Sequence, residues 1–408
     1  MEQEEQRALK DVLTAFYNYE QHARREILIP KQRKFDSLTL EEQTLIPWFT
    51  DYIRTLEHCI RQNGEFCRTL ATTVASQWGV EDPPTEWGSA KYSDYDKVKY
   101  VFKQMVREWS SEGKLEREVA FTRFFQVLET EYPQFDKRQS VKILVPGAGL
   151  GRLNYECVKR GFWCQGNEFS YHMLLASNYV LNSTYSVSSD SVFPYIHSGS
   201  NQVSRQWQTR PIFFPDEHSA SELSALQTLH QKVPFAELMS IASGSFTDLY
   251  GPNDLSTSRH FSQEPQAAEF RQYNKGQFQC VITNFFIDTS PNVIEYLKTL
   301  HHCLSDNGLW LNFGPLLWHF EDADDTEEII HPDGSKHVSP ISGLEMSLED
   351  LITLAERWFI FEKRESAIDC SYSSDTRAMG GWRYKCEYWV ARKRDDVEGT
   401  DLTGGMTI

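Results

Sequence analysis

A short apolar run, Val141-Lys-Ile-Leu-Val-Pro146, enters a turn with glycines at 147, 149 and 151 and passes into Arg152-Leu153; Glu168 follows twenty-one residues after Gly147. A strand, a glycine turn and a helix make a nucleotide cradle. Gly147 can take a backbone conformation closed to other residues, and Gly149 and Gly151 let the main chain approach a ligand with no Cβ in the way. A carboxylate at the end of the next strand suits two ribose hydroxyls, because it accepts both of their protons. A dinucleotide fingerprint would want a glycine at 152, where Arg152 stands. The Gly-x-Gly-x-Gly form is usual for S-adenosylmethionine (AdoMet), and the pattern alone leaves NAD or a flavin, or a turn that binds nothing, as alternatives.

Further candidates lie downstream. Asn284-Phe-Phe-Ile-Asp288 ends an apolar strand-like run, and ligands of open α/β sheets sit beyond the carboxyl ends of the strands. Asp288 is therefore a candidate for the reacting centre or, alternatively, a capping residue for the helix after it. His319 ends Asn312-Phe-Gly-Pro-Leu-Leu-Trp-His319 at the rim of the same crevice, where a histidine serves packing more often than catalysis. Tyr372 sits on the loop before a final strand on which Tyr384, Cys386, Tyr388 and Val390 share a face. His301 and His302 are adjacent, so their side chains diverge on a helix and no third ligand stands at useful spacing; no metal site is expected. Hydrolase and NTPase signatures are absent.

The elements that must position these groups follow from composition and periodicity. The chain has 408 residues, 40% of them hydrophobic, which is enough for one large domain or two ordinary ones. Its formal net charge of −17 argues against a nucleic-acid surface and suits neutral or cationic ligands, although an acidic excess also serves solubility. Eight scattered cysteines, with no Cys-x-x-Cys pair and no apolar leader, point to a reducing compartment, cytosol or nucleus. No apolar run reaches the roughly 18 residues of a membrane span.

Residues 1–80 read as helices, with Leu9, Val12, Leu13 and Phe16 on one face and Phe49, Tyr52, Ile53, Leu56 and Ile60 on another. A proline-containing linker at 79–87 leads to an amphipathic helix at about 95–111. There Val98, Val101, Phe102, Met105 and Trp109 form the apolar arc, and Gln104 and Arg107 fall on the other flank, ordinarily solvated surface. From 141 onward strands alternate with helices, as in a doubly wound parallel sheet. Strands are expected at 142–146, 163–168, 239–243, 278–284, 308–314, 357–364 and 385–393. A helix capped at Ser290-Pro291 should bury Val293, Leu297, Leu300 and Leu304 and stop at Asp306-Asn307-Gly308. The stretch 184–233 fits no simple crossover, and 251–276 reads as a mobile loop.

Taken together, the chain resembles the carnosine N-methyltransferase family, AdoMet-dependent enzymes that methylate the imidazole of histidine-containing dipeptides. The strings that carry the resemblance are Gln104-x-x-Arg107-x-Trp109, Leu144-Val-Pro-Gly-Ala-Gly-Leu-Gly-Arg-Leu153, Gln165-Gly-Asn-Glu168, Arg210-Pro-Ile-Phe-Phe-Pro-Asp216, Phe285-Phe-Ile-Asp-Thr289 and Gly314-Pro-Leu-Leu-x-His-Phe320. The resemblance implies that Gln104 and Arg107 reach the methionine end of AdoMet, that Gly147 lines the cofactor and that Glu168 holds its ribose. It places Phe246 against the adenine, with Asn284 lining the cofactor and Ser245 standing where relatives tend to carry an aspartate. Asp288, His319, Tyr372 and Tyr384 match positions around the dipeptide's imidazole, with Asp288, His319 and Tyr372 carrying the catalytic roles.

The expected architecture is α/β: a Rossmann-like seven-stranded methyltransferase sheet over 136–393, its last strand antiparallel, with an N-terminal helical domain over 1–135 that contributes to cofactor binding and a loose tail at 394–408. The expected partner is a small dipeptide, with neither nucleic acid nor membrane, and the family makes a homodimer plausible. Alternatives are the same chemistry on another histidine-bearing or amine acceptor, and a non-catalytic AdoMet-binding scaffold.

Overall fold

The computed structural model describes residues 2–253, 255, 265–321, 326–330, 335–340 and 343–395. Seven strands form one sheet: β1 (Lys142–Pro146), β2 (Trp163–Glu168), β3 (Met239–Ser243), β4 (Phe278–Asn284), β5 (Leu304–Gly314), β6 (Phe359–Cys370) and β7 (Tyr384–Lys393), in the order β6-β7-β5-β4-β1-β2-β3. The strand at each expected position is present. β1 pairs with β4, β4 with β5 and β2 with β3 in parallel, and β7 runs antiparallel against β5, as expected of the last strand.

By its backbone contacts the chain divides into two units. The first comprises the chain up to Gln139, Gly147–Ser243 and Asp369–Tyr384. Its main helices are α1 (Glu2–Tyr17), α2 (Trp48–Gln77), α3 (Tyr92–Trp109), α4 (Lys114–Glu131), α5 (Arg152–Lys159) and α6 (Tyr171–Asn182). The three-and-four spacing read from the sequence is the buried face: Leu13, Phe16, Leu56, Ile60, Val98, Phe102 and Met105 are sealed from water. They share one core with Leu150, Tyr155, Leu175 and Val180, so the helices before residue 110 pack on the two that follow the glycine turn. Gly64 sits in the middle of α2, where glycine weakens a helix. A Cβ there would stand 2.6 Å from Glu20 Cβ, and this close approach of the two backbones requires the missing side chain.

The second unit comprises Ser140–Pro146, Gly244–Ile368 and the chain from Lys385. Ile143, Leu144, Val281, Ile282, Trp310, Leu311 and Trp389 are its buried strand residues. The buried Trp310 indole donates to Thr283 Oγ1, and that hydroxyl donates to Asn312 Oδ1, both at 2.8 Å, so these three polar side chains satisfy one another inside the sheet. Helix α7 (Val293–Cys303) buries Val293, Leu297 and Leu300 as expected. Its cap differs: Asn292, not Ser290, accepts from Ile294 N–H at 3.1 Å. β5 also starts four residues before the expected 308. Leu304 already pairs with Phe278, Asn307 takes a left-handed φ of 57°, and the register shifts, so Asp306-Asn307-Gly308 lies inside the strand instead of ending the helix.

Of the two excursions, 184–233 is ordered, as its aromatic content suggests, and the described part of 251–276 is more ordered than a mobile loop. In 184–233, Asp190–Val192 pairs antiparallel with Ile212–Phe214, followed by a helix over Ser219–Leu229. In 251–276, Pro265–Asn274 is helical and held by Arg271, which donates to Asn253 Oδ1 and to the Asp248 carbonyl. Residues 254 and 256–264 of that stretch, and 396–408 of the expected tail, lie outside the described residues.

Candidate functional site

The glycine turn of the first unit has the shape its composition demands. Gly147, Gly149 and Gly151 have φ of 67°, 57° and 78°, a region costly for residues with a Cβ. The Glu168 carboxylate at the end of β2 accepts from Gly149 N–H through Oε2 and from Phe169 and Ser170 N–H through Oε1, each at 2.9 Å. A carboxylate offers about four lone-pair positions, so Oε2 retains one for a further donor. Burial pushes the Glu168 carboxyl above the usual range, against those three N–H groups.

Helix α3 brings two functional candidates to the same unit. Gln104 and Arg107, on a flank that reads as solvated surface, are both buried. They are covered by Tyr372: Gln104 Nε2 donates to the Tyr372 hydroxyl at 2.8 Å, and the Arg107 guanidinium lies 4.5 Å from the Tyr372 ring centre. Tyr372 is partly exposed as a residue, but burial of its hydroxyl raises its pKa above the usual phenol range. Gln104 Oε1 is buried with no hydrogen-bond partner among the described residues. Such an atom calls for a donor such as an ammonium group.

Two acidic residues on these helices carried no signal in the sequence beyond their nearness to Arg107. Glu108 is buried, and its Oε2 accepts from Leu150 N–H at 3.1 Å and Arg152 N–H at 3.3 Å. Burial raises its pKa, and the charge of Glu168 adds to the effect. Glu116, in the first turn of α4, pairs through Oε1 with Arg107 Nε at 3.1 Å and accepts from Ser373 N–H at 2.8 Å and the Ser371 hydroxyl at 2.6 Å. It thus ties the loop that carries Tyr372 to Arg107. Burial lowers the pKa of Arg107, but the neighbouring Tyr372, Glu108 and Glu116 outweigh this and raise it.

The string Arg210–Asp216 has its charged ends in this framework. Arg210 bonds Glu112 at 2.5 Å and Asp375 at 2.8 Å, while Asp216 receives Arg117 at 2.6 Å and Arg152 at 2.5 Å. Its Asp216 N–H donates to the Trp109 carbonyl at 2.7 Å. Tyr384, at the first position of β7, is half-buried.

In the second unit, Asp288 follows β4 through a sharp exit. Phe285 holds a φ of 53°, uncommon for a bulky residue, and donates its N–H to the Phe313 carbonyl at 2.7 Å. Asp288 is 4% exposed; Oδ2 accepts from Leu317 N–H at 2.8 Å, and its carbonyl accepts from His319 N–H at 3.1 Å. Apart from its own backbone N–H, the carboxylate receives no donor other than Leu317 N–H among the described residues. Burial raises the Asp288 carboxyl, opposed by Leu317 N–H and by His319. The His319 side chain is exposed. Asp288 is not the cap of α7, since Asn292 fills that place.

Phe246 is buried edge-on to Phe286 and Tyr296 at 5.5 and 5.4 Å between ring centres, leaving an aromatic wall. Ser245 precedes it, with its hydroxyl 3.2 Å from Thr247 Oγ1. Asn284 ends β4 with Oδ1 buried and without a partner among the described residues, a second acceptor that lacks a donor. Those residues also contain no cluster of three metal-ligating side chains and no helix long and apolar enough to cross a membrane.

A carnosine N-methyltransferase of Schizosaccharomyces pombe is 32% identical over 96% of this chain and 97% of its own length. That of Rattus norvegicus is 32% identical over 89% of this chain and 80% of its own. Among solved structures, an S-adenosylmethionine dependent methyltransferase from Mesorhizobium loti overlaps 66% of this chain and 96% of its own with a TM-score of 0.33 and 10% identity, too slight a likeness to bear on fold or function. The family model described as carnosine N-methyltransferase matches residues 84–395, from the approach to α3 through the end of β7. The chain therefore belongs to the carnosine N-methyltransferase family and is an AdoMet-dependent N-methyltransferase.

Proposed function

We propose that the methyl acceptor is the imidazole ring of carnosine, giving anserine, or of a related histidine-containing dipeptide. The observation that carries this reading is Asp288: a buried carboxylate fixed by Leu317 N–H and its own backbone N–H, with acceptor capacity left for a ligand. The cofactor, when bound, supplies an electrophilic methyl group on a sulfonium. Gln104 and Arg107 are assigned to its methionine end, Gly147 and Glu168 to its ribose, and Ser245, Phe246 and Asn284 to its remaining contacts. The unpartnered Gln104 Oε1 and Asn284 Oδ1 and the remaining lone pair of Glu168 fit that assignment, because each is an acceptor that lacks a donor.

At pH 7 an imidazole of ordinary pKa, about 6.5, is mostly neutral, so a ring nitrogen already has its lone pair and no strong base is needed. What remains is tautomer and aim. Asp288 accepts the N–H of the far ring nitrogen, which leaves the near nitrogen as the one with a lone pair. Once methylated at the near nitrogen, the ring is cationic. A fixed anion at Asp288 stabilises that state more than the neutral ground state. The far-nitrogen proton then passes to Asp288, a carboxyl that burial makes more ready to hold it. His319 and Tyr372 orient ring and carboxylate, and Tyr384 walls the pocket.

Incubation with carnosine and methyl-labelled AdoMet, with the product read by NMR, should place label on a ring nitrogen. Asp288→Asn should lower turnover by at least about 100-fold, as removal of a positioned electrostatic group does. Label transferred to free histidine or a protein histidine, with none on carnosine, would replace the dipeptide with that acceptor. A loss below about tenfold would remove Asp288 from this role.

A further inference from the structure

From Ala148 to Arg152 the glycine turn has its backbone hydrogen-bond donors already committed. Ala148 N–H donates to the Asn167 carbonyl at 3.0 Å, Gly149 to Glu168 at 2.9 Å, Leu150 to Glu108 at 3.1 Å, Gly151 to the Ala148 carbonyl at 2.9 Å and Arg152 to Glu108 at 3.3 Å. In nucleotide folds that bind phosphates, the N–H groups at this turn and the start of the next helix form the anion site. Here a carboxylate stands in that place. Glu108 Oε1 lies 2.6 Å from where a Cβ on Gly149 would be, so the side chain is pressed against the turn, and glycine at 149 makes room for it.

Glu108 is itself held. The indole of its neighbour Trp109 donates to the Leu150 carbonyl at 3.0 Å, and Arg152 donates to the Glu108 carbonyl at 3.1 Å. The Arg152 guanidinium faces the Trp109 ring at 5.0 Å. A phosphate could reach the Leu150 and Arg152 N–H groups only by displacing the Glu108 carboxylate that already accepts from them.

We infer that Glu108 is a specificity-determining residue, an internal anion that fills the phosphate position of the glycine turn and reserves it for a nucleoside cofactor that carries no phosphate. Its charge repels a diphosphate and leaves a cationic or neutral ligand unopposed. The inference rests on the AdoMet chemistry of the family and is independent of which acceptor is methylated, so it stands or falls separately from the carnosine reading.

The test is calorimetric binding of S-adenosylhomocysteine and of ADP to the full chain and to two variants. Glu108→Gln keeps an acceptor oxygen for Leu150 and Arg152 and removes the charge; Glu108→Ala also frees both N–H groups. Wild type should bind S-adenosylhomocysteine in strong preference to ADP. Glu108→Gln should shift that preference toward ADP by at least about tenfold, the effect of removing one like charge from a partly screened site, and Glu108→Ala by more. Should Glu108→Ala fail to fold, Glu108→Gln decides alone. A preference unchanged within about threefold in folded Glu108→Gln overturns the inference. An equal loss of both ligands also overturns it, because it marks Glu108 as a support for the turn's shape only.

Discussion

Glu116→Ala tests how the Tyr372 loop is held over Arg107. The Glu116 carboxylate takes the Ser373 N–H and the Ser371 hydroxyl, at 2.8 and 2.6 Å, and faces Arg107 Nε at 3.1 Å, with the two charged side chains only 10% and 7% exposed. Hydrogen bonds to a charged group contribute about 1.5–3 kcal/mol each, so the loop's two bonds together hold it by about 3 kcal/mol at the low end. Arg107 loses a buried counter-charge as well, but an opened loop would let water reach it, which limits that further cost. With 1.4 kcal/mol to a factor of ten, local opening should rise on the order of 100-fold. Hydrogen–deuterium exchange of peptides covering 369–376 reads this directly, with peptides from the core of α2 as the internal control. Accelerated exchange confined to 369–376, with weakened binding of S-adenosylhomocysteine, is the expected outcome. Wild-type exchange in that segment would refute the clamp, and uniform acceleration throughout would show Glu116 supporting the whole unit instead of the loop.

Gly64→Ala should destabilise the protein by about 1–3 kcal/mol in urea unfolding, although the same change in an open helix stabilises by about 1 kcal/mol. A Cβ at 64 meets Glu20 Cβ at 2.6 Å, close to the backbone and unable to swing aside, so a stabilised variant would contradict the packing of these helices. His172 is 2% exposed, its Nε2 is 3.1 Å from the Asp94 carbonyl, and burial holds its pKa down to about 4 from an unfolded value near 6.5. The unfolded chain therefore binds this proton first as pH falls. Stability contributed by neutral His172 is present above pH 6.5 and lost between about 6.5 and 4, by at most about 1.4 kcal/mol per pH unit. Urea midpoints measured across that range should fall more steeply for wild type than for a folded His172→Asn variant; parallel slopes would remove His172 as the cause.

The sequence determined what is local. β1, its glycine turn and α5 lie within eighteen consecutive residues, Lys142–Lys159, and the alternation of apolar strands with amphipathic helices reports burial one element at a time. That is why the strand positions, the turn and Glu168 were legible. Boundaries were less so, because a helix cap or the start of a strand is settled by hydrogen bonds that neighbouring residues compete to make. Asn292 displaced Ser290 as the cap of α7, and Leu304 joined β5 across a left-handed Asn307.

Only the tertiary structure decided the polar flank of α3. By hydropathy alone Gln104 and Arg107 read as solvated surface, because hydropathy assigns polar and charged side chains to water, yet they and the neighbouring Glu108 are buried. They are buried because their partners come from far along the chain: Tyr372 stands 268 residues after Gln104, and Leu150 stands 42 after Glu108. A charged group leaves water when others replace its hydration. No window of sequence around residue 107 contains the glycine turn or the Tyr372 loop that does so.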